Sequence, residues 1–453
     1  MRHFDLVIIG TGSGNTILSP EFDRWEVAVL EQGTFGGTCL NVGCIPTKMY
    51  VYAADVAETV RRAAGFGIDA SVDKIRWTDI RDRVFGRIDP IAEGGRHYRT
   101  EGSPNVTVYP GAARFTGPRK IDTGTGETIT ADRVVIAAGS RPMIPAEVAG
   151  AGVPLHTSDT IMRMTGLPER LVILGGGYIA AEFAHVFSAL GVEVCLAARS
   201  APLLRHLDDT LAERFTAAVA DRWELHLGRL VHQLEGDASG IRATLDDGTV
   251  LTGDALLVAT GRIPNSDRLD LHAAGVSTHA DGRIVVDPQQ RTRAEGVYAL
   301  GDISSAYQLK HVANHEARVV AHNLLHPEDP WRSDYRFVPA AVFTDPQIAS
   351  VGLTESDCLT RGLDVTVKVQ EYGDVAYGWA MEDTVGFCKV IAERGTGRLL
   401  GAHLMGAQAA SLIQPLVQAM SFGQTADEVA RGQYWIHPAL PEVVENALLG
   451  LDG

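Results

Sequence analysis

Cys39 and Cys44 are the residues whose type and spacing most directly suggest chemistry, with four residues between them. A thiolate attacks a disulfide sulfur, so two neighbouring thiols can pass electrons to a bound disulfide. In a regular helix their Cα atoms would be separated by roughly 7.5 Å of rise, beyond the roughly 7 Å that a disulfide spans. If the two residues pair, Cys39 must therefore lie in distorted backbone.

Cys44 is expected at the start of a helix. Gly43 permits a bend before it, Pro46 suits the first helical turn, and the residues that follow continue the helix through residue 54. The positive end of the helix dipole would then lower the pKa of the Cys44 thiol and stabilise its thiolate.

A structural or metal-binding role is the alternative for a close cysteine pair. A zinc site would need further ligands, and the remaining cysteines, Cys195, Cys358 and Cys388, contain no second close pair. We therefore expect no metal, and we expect any disulfide of this chain to be catalytic.

Two parts of the chain open with the same pattern, a short buried strand that leads into a glycine turn. The first runs over residues 5–14 and the second over residues 171–178. The second is followed by a predicted helix at 179–190 and a strand at 192–197, whereas Pro20 shortens the helix of the first before its next strand at 27–31. A glycine turn before a helix binds a pyrophosphate, so the sequence predicts two Rossmann-like units.

Charged residues after each turn indicate which nucleotide binds there. Glu31 ends the second strand of the first unit, at a position where a carboxylate can accept hydrogen bonds from the ribose hydroxyls of a nucleotide. The second unit instead has Ala198 followed by Arg199 and Arg205, and guanidinium groups suit a 2′-phosphate. This favours NADP(H) at the second unit, with a solvated charged edge as the alternative interpretation.

Further strand-like runs lie at residues 133–139 and 255–261, each ending in glycine, and at 296–302, ending in Asp302. A carboxylate at that position suits a polar cofactor chain. After about residue 335 the glycine turns disappear, and the strand-like run 387–392 and the helical run 411–421 indicate an α+β domain.

Length and charge exclude several classes of protein. The chain has 453 residues, which predicts about three domains, and its formal charge of −16 disfavours binding to nucleic acid or acidic lipid. No apolar run approaches the roughly 18 residues of a membrane span, and the first apolar run is too short for a signal peptide. We expect a cytoplasmic protein that has no membrane or nucleic-acid partner.

The stretch Gly-Gly-Thr-Cys-Leu-Asn-Val-Gly-Cys-Ile-Pro-Thr-Lys at residues 36–48, between two nucleotide turns, resembles the class I pyridine nucleotide-disulfide oxidoreductase family. The resemblance covers essentially the whole chain. It implies a glutathione reductase-like α/β homodimer that reduces a small-molecule disulfide. The domains implied are an FAD domain at 1–145, an NADPH domain at 146–264, a central domain at 265–334 that completes the FAD domain, and an interface domain at 335–453.

The resemblance also implies roles for individual residues. Cys39 is the thiol that attacks substrate, Cys44 is the thiol beside the flavin, and Lys48 lies near flavin N5, paired with Glu182. Tyr178 covers the flavin until nicotinamide displaces it. The residues expected at FAD are Gly10, Gly12, Gly14, Glu31, Gly37, Thr38, Lys48, Gly139 and Asp302. The residues expected at NADPH are Gly175, Gly177, Tyr178, Ala180, Arg199, Arg205 and Gly261.

The C-terminal run His437-Pro438-Ala439-Leu440-Pro441-Glu442 resembles the family ending His-Pro-Thr-x-x-Glu, with alanine in place of threonine. A histidine oriented by a carboxylate is the acid/base pair that thiol exchange needs. The resemblance implies that each subunit supplies this dyad to the cysteines of the other, so the active site is shared. The other candidate histidines, His311, His315 and His403, lack this context and are expected to be structural or to pack near the flavin.

Two features depart from the family pattern. Asn15 stands at the third glycine of the FAD turn, and residues 15–20 lack the arginine that glutathione-type reductases use to bind a substrate carboxylate. This disfavours a strongly anionic disulfide. The stretches 32–37 and 434–442 most resemble the reductases of a sugar-thiol disulfide. Dihydrolipoamide dehydrogenase activity, reduction of another low-molecular-weight disulfide and a catalytically silent flavin-binding subunit are the alternatives.

Overall fold

The computed structural model describes residues 1–237 and 239–452 of the chain. Its strands are β1 (Arg2–Ile9), β2 (Val27–Leu30), β3 (Val106–Tyr109), β4 (Arg114–Gly117), β5 (Lys120–Asp122), β6 (Thr128–Ile136), β7 (Ser140–Pro142), β8 (Arg170–Leu174), β9 (Glu193–Ala198), β10 (Glu224–Leu227), β11 (Val231–Asp237), β12 (Gly240–Leu245), β13 (Val250–Gly253), β14 (Ala255–Val258), β15 (Arg262–Pro264), β16 (Val297–Ala299), β17 (Ala340–Val342), β18 (Ile348–Gly352), β19 (Val365–Glu371), β20 (Phe387–Glu393) and β21 (Leu399–Met405).

The α-helices are α1 (Gly37–Asn41), α2 (Cys44–Arg62), α3 (Trp77–Thr100), α4 (Ala146–Gly150), α5 (Tyr178–Ala189), α6 (Asp209–Val219), α7 (Lys310–Leu325), α8 (Glu355–Thr360), α9 (Ala376–Ala380), α10 (Ala409–Leu412), α11 (Gln414–Ser421), α12 (Ala426–Arg431) and α13 (Pro441–Leu449). None of these helices combines the length and apolarity that crossing a membrane requires.

The first sheet carries the first glycine turn. Strands β3, β2, β1 and β6 lie side by side in parallel, β16 also pairs with β6 in parallel, and β5 and β4 extend the sheet antiparallel. All four side chains of β2 are buried, as expected for a parallel strand covered on both faces. The register places Ile9 beside Leu30 and Ile136, so the strand ends form one edge where nucleotides bind in such sheets.

The second sheet is a smaller copy of the same plan. Strands β10, β9, β8 and β14 are parallel, and α5 connects β8 to β9. A three-stranded antiparallel sheet, β11-β12-β13, packs on this unit through a cluster that includes Leu234, Val172 and Leu256. The strand, turn, helix and strand predicted for the second unit are all present, with bounds one residue from those expected.

The C-terminal part is built on a five-stranded antiparallel sheet in the order β17-β18-β21-β20-β19. Helices α10 to α13 pack on it, and their buried side chains, Leu416, Val443 and Val444 among them, form one core cluster with the sheet. The α+β organisation expected after residue 335 is therefore observed, although the predicted helix at 411–421 is divided into α10 and α11.

Pro20 shortens the first unit as the sequence predicts. The glycine turn leads into two 3-10 segments, Ser13–Ile17 and Pro20–Phe22, and no α-helix follows before β2. The run expected as one strand at 296–302 is also shorter, because β16 ends at Ala299 and a 3-10 turn begins at Gly301.

Gly14 makes the close approach of the first glycine turn to Ala137. A Cβ on Gly14 would lie 2.6 Å from the Cβ of Ala137, so the close approach falls on Gly14, one residue before Asn15. Asn15 serves another purpose, because its side-chain oxygen accepts a 2.8 Å hydrogen bond from Arg99 Nε. The buried Arg99 therefore brings a cation to a stretch that lacks one in sequence, and Asn15 holds it.

Candidate active site

The two cysteines are brought together by a break between two helices. Cys39 lies in the one-turn helix α1, and Cys44 is the first residue of α2. Between them Gly43 passes so close to α1 that a Cβ there would lie 2.9 Å from the carbonyl oxygen of Thr38. The thiols are hydrogen-bonded to each other and are not joined in a disulfide. Cys39 itself is therefore helical, and the irregular backbone between the two cysteines lies at Gly43.

The two thiols have pKa values shifted in opposite directions. The hydrogen bond from Cys39, aided by the charge of Lys48, lowers the pKa of Cys44 to about 7 against the opposing effect of burial. The same hydrogen bond, together with burial, raises the pKa of Cys39 well above its usual range. The proton therefore remains on Cys39, and Cys44 carries the thiolate near neutral pH.

Lys48 and Glu182 form an ion pair beside the cysteines. Both carboxylate oxygens of Glu182 lie 2.7 Å from Lys48 Nζ, and the Glu182 side chain is only 5% exposed. The backbone N–H of Phe343 donates to the same carboxylate at 3.0 Å, and Lys48 Nζ lies 4.7 Å from the centre of the Phe343 ring. The sequence pairing of Lys48 with Glu182 is reproduced, and Phe343 is an additional member that sequence reasoning missed.

One cavity of about 1390 Å³ connects the first glycine turn to the cysteines. The predicted residues that line it are Gly10, Gly12, Glu31, Gly37, Thr38, Cys39, Cys44, Lys48, Gly139, Tyr178, Glu182 and Asp302. A Cβ on Gly37 would lie 2.8 Å from the Cα of Gly12, so two backbones meet at the cavity wall with no room for side chains. Gly14 is buried and does not line the cavity.

Two carboxylates that line the cavity accept hydrogen bonds from neighbouring residues of its wall. Glu31 accepts hydrogen bonds from the N–H and hydroxyl of Thr11 at 2.9 and 2.7 Å, and Asp302 accepts one from the Ser140 hydroxyl at 2.7 Å. Each carboxylate retains acceptor capacity for a hydroxyl of a ligand. The volume, the bare glycine turn and these acceptors fit the polar chain and ribose of FAD.

Tyr178 begins α5 at the cavity wall, where burial raises the pKa of its phenol to about 12. The ring therefore stays neutral and can pack over an aromatic ligand.

The second glycine turn lies apart from the lining of this cavity. A Cβ on Gly175 would lie 2.2 Å from the carbonyl oxygen of Ala259, the same close approach that Gly10 makes in the first unit. Gly177 is the N-cap of α5, Ala180 is buried in its first turn, and Gly261 follows β14 with a φ of +132°.

Arg199 and Arg205 are both exposed beyond the end of β9, and neither forms an ion pair with a described residue. Ala198, at the position where an acid would select NAD, is buried. Two exposed arginines that form no ion pair with a described residue, with alanine at the position of the acid, suit a 2′-phosphate.

His437 and Glu442 form the predicted dyad, with 2.6 Å between His437 Nδ1 and Glu442 Oε1. The pKa of Glu442 lies below its usual range because of that hydrogen bond. The imidazole is 71% exposed and does not line the cavity of its own chain. The structure therefore brings His437 to Glu442 but not to the cysteines of the same chain.

The other three candidate histidines form hydrogen bonds with the backbone. His311 and His403 bond to the backbone carbonyl oxygens of Pro339 and Leu353, and the backbone N–H of Asp334 donates to His315. Only His311 among them lines the cavity.

Sequence reasoning missed two charged residues that line the cavity, Arg262 and Lys310. Arg262 donates to the hydroxyl of Ser140 at 2.8 Å and so holds the group that binds Asp302. Lys310 begins α7 and donates to the Ser13 hydroxyl at 2.8 Å. Each comes from a strand end or helix start that only the assembled sheet brings to this edge, so spacing in the sequence gave no indication of them.

Comparisons with known proteins agree with this architecture. The family model described as pyridine nucleotide-disulphide oxidoreductase matches residues 4–317, and that of the corresponding dimerisation domain matches residues 338–448. Mycothione reductase of Mycobacterium tuberculosis (strain ATCC 25618 / H37Rv) is 62% identical over 461 residues, with 100% of both chains covered. Glutathione reductase of Burkholderia cepacia is 33% identical over 445 residues, with 97% of both covered.

Among solved structures, the HOCl-induced flavoprotein disulfide reductase RclA from Escherichia coli is similar, with a TM-score of 0.87 and 26% sequence identity. The match covers 98% of this chain and 99% of that chain. Together the comparisons confirm the predicted fold class, the dimerisation domain and the use of FAD and NADPH. The chain therefore belongs to the pyridine nucleotide-disulphide oxidoreductase family and is an oxidoreductase of that family.

Proposed function

We propose that this enzyme reduces mycothione, the disulfide of mycothiol, with electrons of NADPH that reach Cys39 and Cys44 through FAD. The observation that carries the proposal is the thiol pair at the start of α2, where Cys44 has a pKa of about 7 and faces a cavity that fits FAD. The 62% identity with a mycothione reductase supports the choice of substrate.

The two thiols act in turn on the substrate. The Cys39 thiolate attacks one sulfur of mycothione, so that a mixed disulfide forms and the first mycothiol leaves as a thiolate. The Cys44 thiolate then attacks the sulfur of Cys39, which releases the second mycothiol and closes the Cys39–Cys44 disulfide. Two electrons have then passed from the pair to the substrate. Return of the pair to the dithiol is the chemistry that bound FAD supplies, using electrons of NADPH.

Proton transfer is assigned to His437 of a second copy of the chain. Its imidazole takes the proton that remains on Cys39 and returns it to the leaving mycothiol thiolate. The 2.6 Å hydrogen bond to Glu442 orients the ring. Exposure of the ring leaves it accessible to a second chain.

The proposal includes the domain division 1–145, 146–264, 265–334 and 335–453, and the cofactor contacts predicted from the sequence. Ala198, Arg199 and Arg205 support binding of NADPH in preference to NADH, since two exposed cations follow β9 and alanine stands where an acid would select NADH. Because NADPH is a cytoplasmic reductant, we place the reaction in the cytoplasm.

The test measures oxidation of NADPH and of NADH in the presence of mycothione, oxidised glutathione or lipoamide, with Cys44→Ser as the inactive control. We expect the highest kcat/KM for NADPH with mycothione. Preference for lipoamide and NAD(H) would instead identify a dihydrolipoamide dehydrogenase. A flavin that NADPH bleaches, in a protein that reduces none of the disulfides, would identify a silent flavin-binding subunit.

The shared site has its own test, which mixes the inactive variants Cys39→Ser and His437→Ala under conditions that exchange subunits. In a heterodimer one site carries both lesions and the other carries neither. We expect activity to reappear, at about half of the wild-type value per heterodimer if the sites act independently. Exchange of subunits without recovery would show that His437 serves the cysteines of its own chain.

A further inference from the structure

Lys389 is a buried lysine to which the proposed chemistry gives no role. It is the third residue of β20, and its side chain is only 2% exposed. Alternate residues of a strand share a face, so Lys389 faces the same side of the sheet as Phe387. Phe387 belongs to the core cluster that contains Phe215 of α6, whereas Cys388 belongs to the cluster of the C-terminal helices. Lys389 therefore lies where the second nucleotide unit packs on the C-terminal sheet.

Four oxygen atoms surround the ammonium group of Lys389. Its Nζ donates to both carboxylate oxygens of Asp208 at 2.8 and 3.0 Å and to the Thr210 hydroxyl at 3.0 Å, and it lies 2.7 Å from Glu355 Oε2. The Asp208 side chain is 1% exposed. Against the opposing effect of burial, the hydrogen bond from Lys389 holds the pKa of Asp208 below its usual range, so the pair is ionic.

A buried ion pair of this kind is better suited to fixing a geometry than to adding stability. Removing two charges from water carries a desolvation penalty that their attraction often fails to offset, and an apolar pair of similar volume is often as stable. Either charge without its partner, in contrast, is strongly unfavourable. The pair therefore holds Asp208 at one place on the C-terminal sheet.

Asp208 ends the loop that carries the two arginines predicted to bind the 2′-phosphate. The loop follows β9 and contains Arg199 and Arg205, and Asp208 is the N-cap of α6. Within the loop, the N–H of Leu204 donates at 2.8 Å to the carbonyl oxygen of Gly176 in the second glycine turn. Arg205 thus lies between one point held at the glycine turn and another held at the C-terminal sheet.

The end of this loop also reaches the cavity that fits FAD. His206 and Leu207, which lie between Arg205 and Asp208, both line that cavity. The segment 205–208 therefore connects the expected phosphate site, the cavity and the partner of Lys389 within four residues. A displacement of Asp208 would move Arg205 relative to the cavity.

We propose that Lys389 is a positioning residue for NADPH, because by holding Asp208 it fixes the segment 205–208 and with it the guanidinium group that binds the 2′-phosphate. The inference rests on the proposed phosphate site and is independent of which disulfide the enzyme reduces.

The test measures binding of NADP⁺ and of NAD⁺ to the FAD-loaded enzyme by titration calorimetry, so that no disulfide substrate is needed. Lys389→Met removes the ammonium group. The double variant Asp208→Asn/Lys389→Met removes both charges of the pair, while asparagine retains an oxygen that can cap α6. Lys368→Met, on the neighbouring strand β19, is the matched control because Lys368 forms no ion pair with a described residue. Each variant is also made together with Arg205→Met, which closes a double-mutant cycle.

We expect the Kd for NADP⁺ to rise roughly tenfold in Lys389→Met and in the double variant, with less than about a twofold change for NAD⁺, because one charged hydrogen bond to the phosphate is misplaced. In the Arg205→Met background the same substitutions should add less than about twofold, because the group that they misplace is absent. Lys368→Met should leave both Kd values unchanged.

Equal rises for NADP⁺ and NAD⁺, an unchanged Kd for NADP⁺, or an undiminished effect in the Arg205→Met background would each overturn the proposal. A double variant that no longer folds with FAD would also overturn it, since the pair would then be purely structural. If Arg205→Met itself weakens both nucleotides equally, the proposed phosphate site fails as well. A selective effect of Arg205→Met without one of Lys389→Met would refute only the role of Lys389.

Discussion

The ion pair between Lys48 and Glu182 predicts opposite effects of two substitutions on Cys44. The ammonium group lowers the pKa of Cys44 and the carboxylate raises it. Glu182→Gln removes the negative charge and leaves Lys48 unneutralised, so the pKa of Cys44 should fall below about 7. Lys48→Met removes the positive charge and leaves the carboxylate, so the pKa should rise.

The size of each shift follows from the exposure of the pair. A charge within about 4–6 Å shifts a pKa by roughly 1–3 units, and the smaller value applies here because Lys48 is 34% exposed. We therefore expect midpoints near pH 6 in Glu182→Gln and near pH 8 in Lys48→Met, by about one unit in each direction. One unit corresponds to about 1.4 kcal/mol of differential interaction with the thiolate.

The assay uses the long-wavelength absorbance that a Cys44 thiolate gives beside oxidised flavin after reduction by NADPH. The band is present above the pKa of Cys44 and is lost as the pH falls through it, so its midpoint reports the thiolate. Flavin content and Tm, measured on the same samples, control for loss of FAD or of fold. Shifts in the same direction in both variants, or no shift with FAD retained, would refute the electrostatic role of the pair.

Three further predictions concern single features of the structure. Replacing Arg199 and Arg205 by neutral residues should raise the KM for NADPH far more than that for NADH, since each charged hydrogen bond is worth roughly 1.5–3 kcal/mol; equal effects would refute the phosphate site. Cys39→Ser should retain the long-wavelength band and Cys44→Ser should abolish it; the reverse result would exchange their roles. Gly14→Ala should destabilise the fold by about 1–3 kcal/mol, because the new Cβ would lie 2.6 Å from that of Ala137. Denaturant unfolding measures this loss, with Gly33→Ala as the control because the nearest atom to its new Cβ is 3.5 Å away.

The sequence predicted the parts of the site whose geometry is local. Gly43 and Pro46 predicted a helix that starts at Cys44, and α2 begins there after a bend at Gly43. Pro20 required a shortened helix, and two 3-10 segments take its place. Each of these outcomes follows from the backbone rules of a few neighbouring residues.

The parts that the sequence did not predict depend on contacts across the fold. Ser13 and Lys310 are 297 residues apart, and Asn15 and Arg99 are 84 apart, yet each pair is hydrogen-bonded. Neither pair contributes to a periodic pattern, because one member is a lone polar residue at a helix end. The close packing at Gly14 could not be predicted for the same reason, since Ala137, which limits it, lies just after a strand end far along the chain.

The separation of His437 from the cysteines has a simple explanation in the symmetry of a dimer. The loop that carries the histidine exposes large apolar side chains, with Tyr434 at 103% and Ile436 at 75%, while Tyr52, on the helix that begins at Cys44, is 68% exposed. A matched dimerisation domain spans residues 338–448, so the His437 loop lies within the part of the chain that pairs with a second copy. Two faces that are incomplete in one chain and related by a two-fold axis give two complete sites in the dimer. Exposure of His437 therefore agrees with the proposed shared site, in which the surface that leaves it open in one chain would be covered by the other chain.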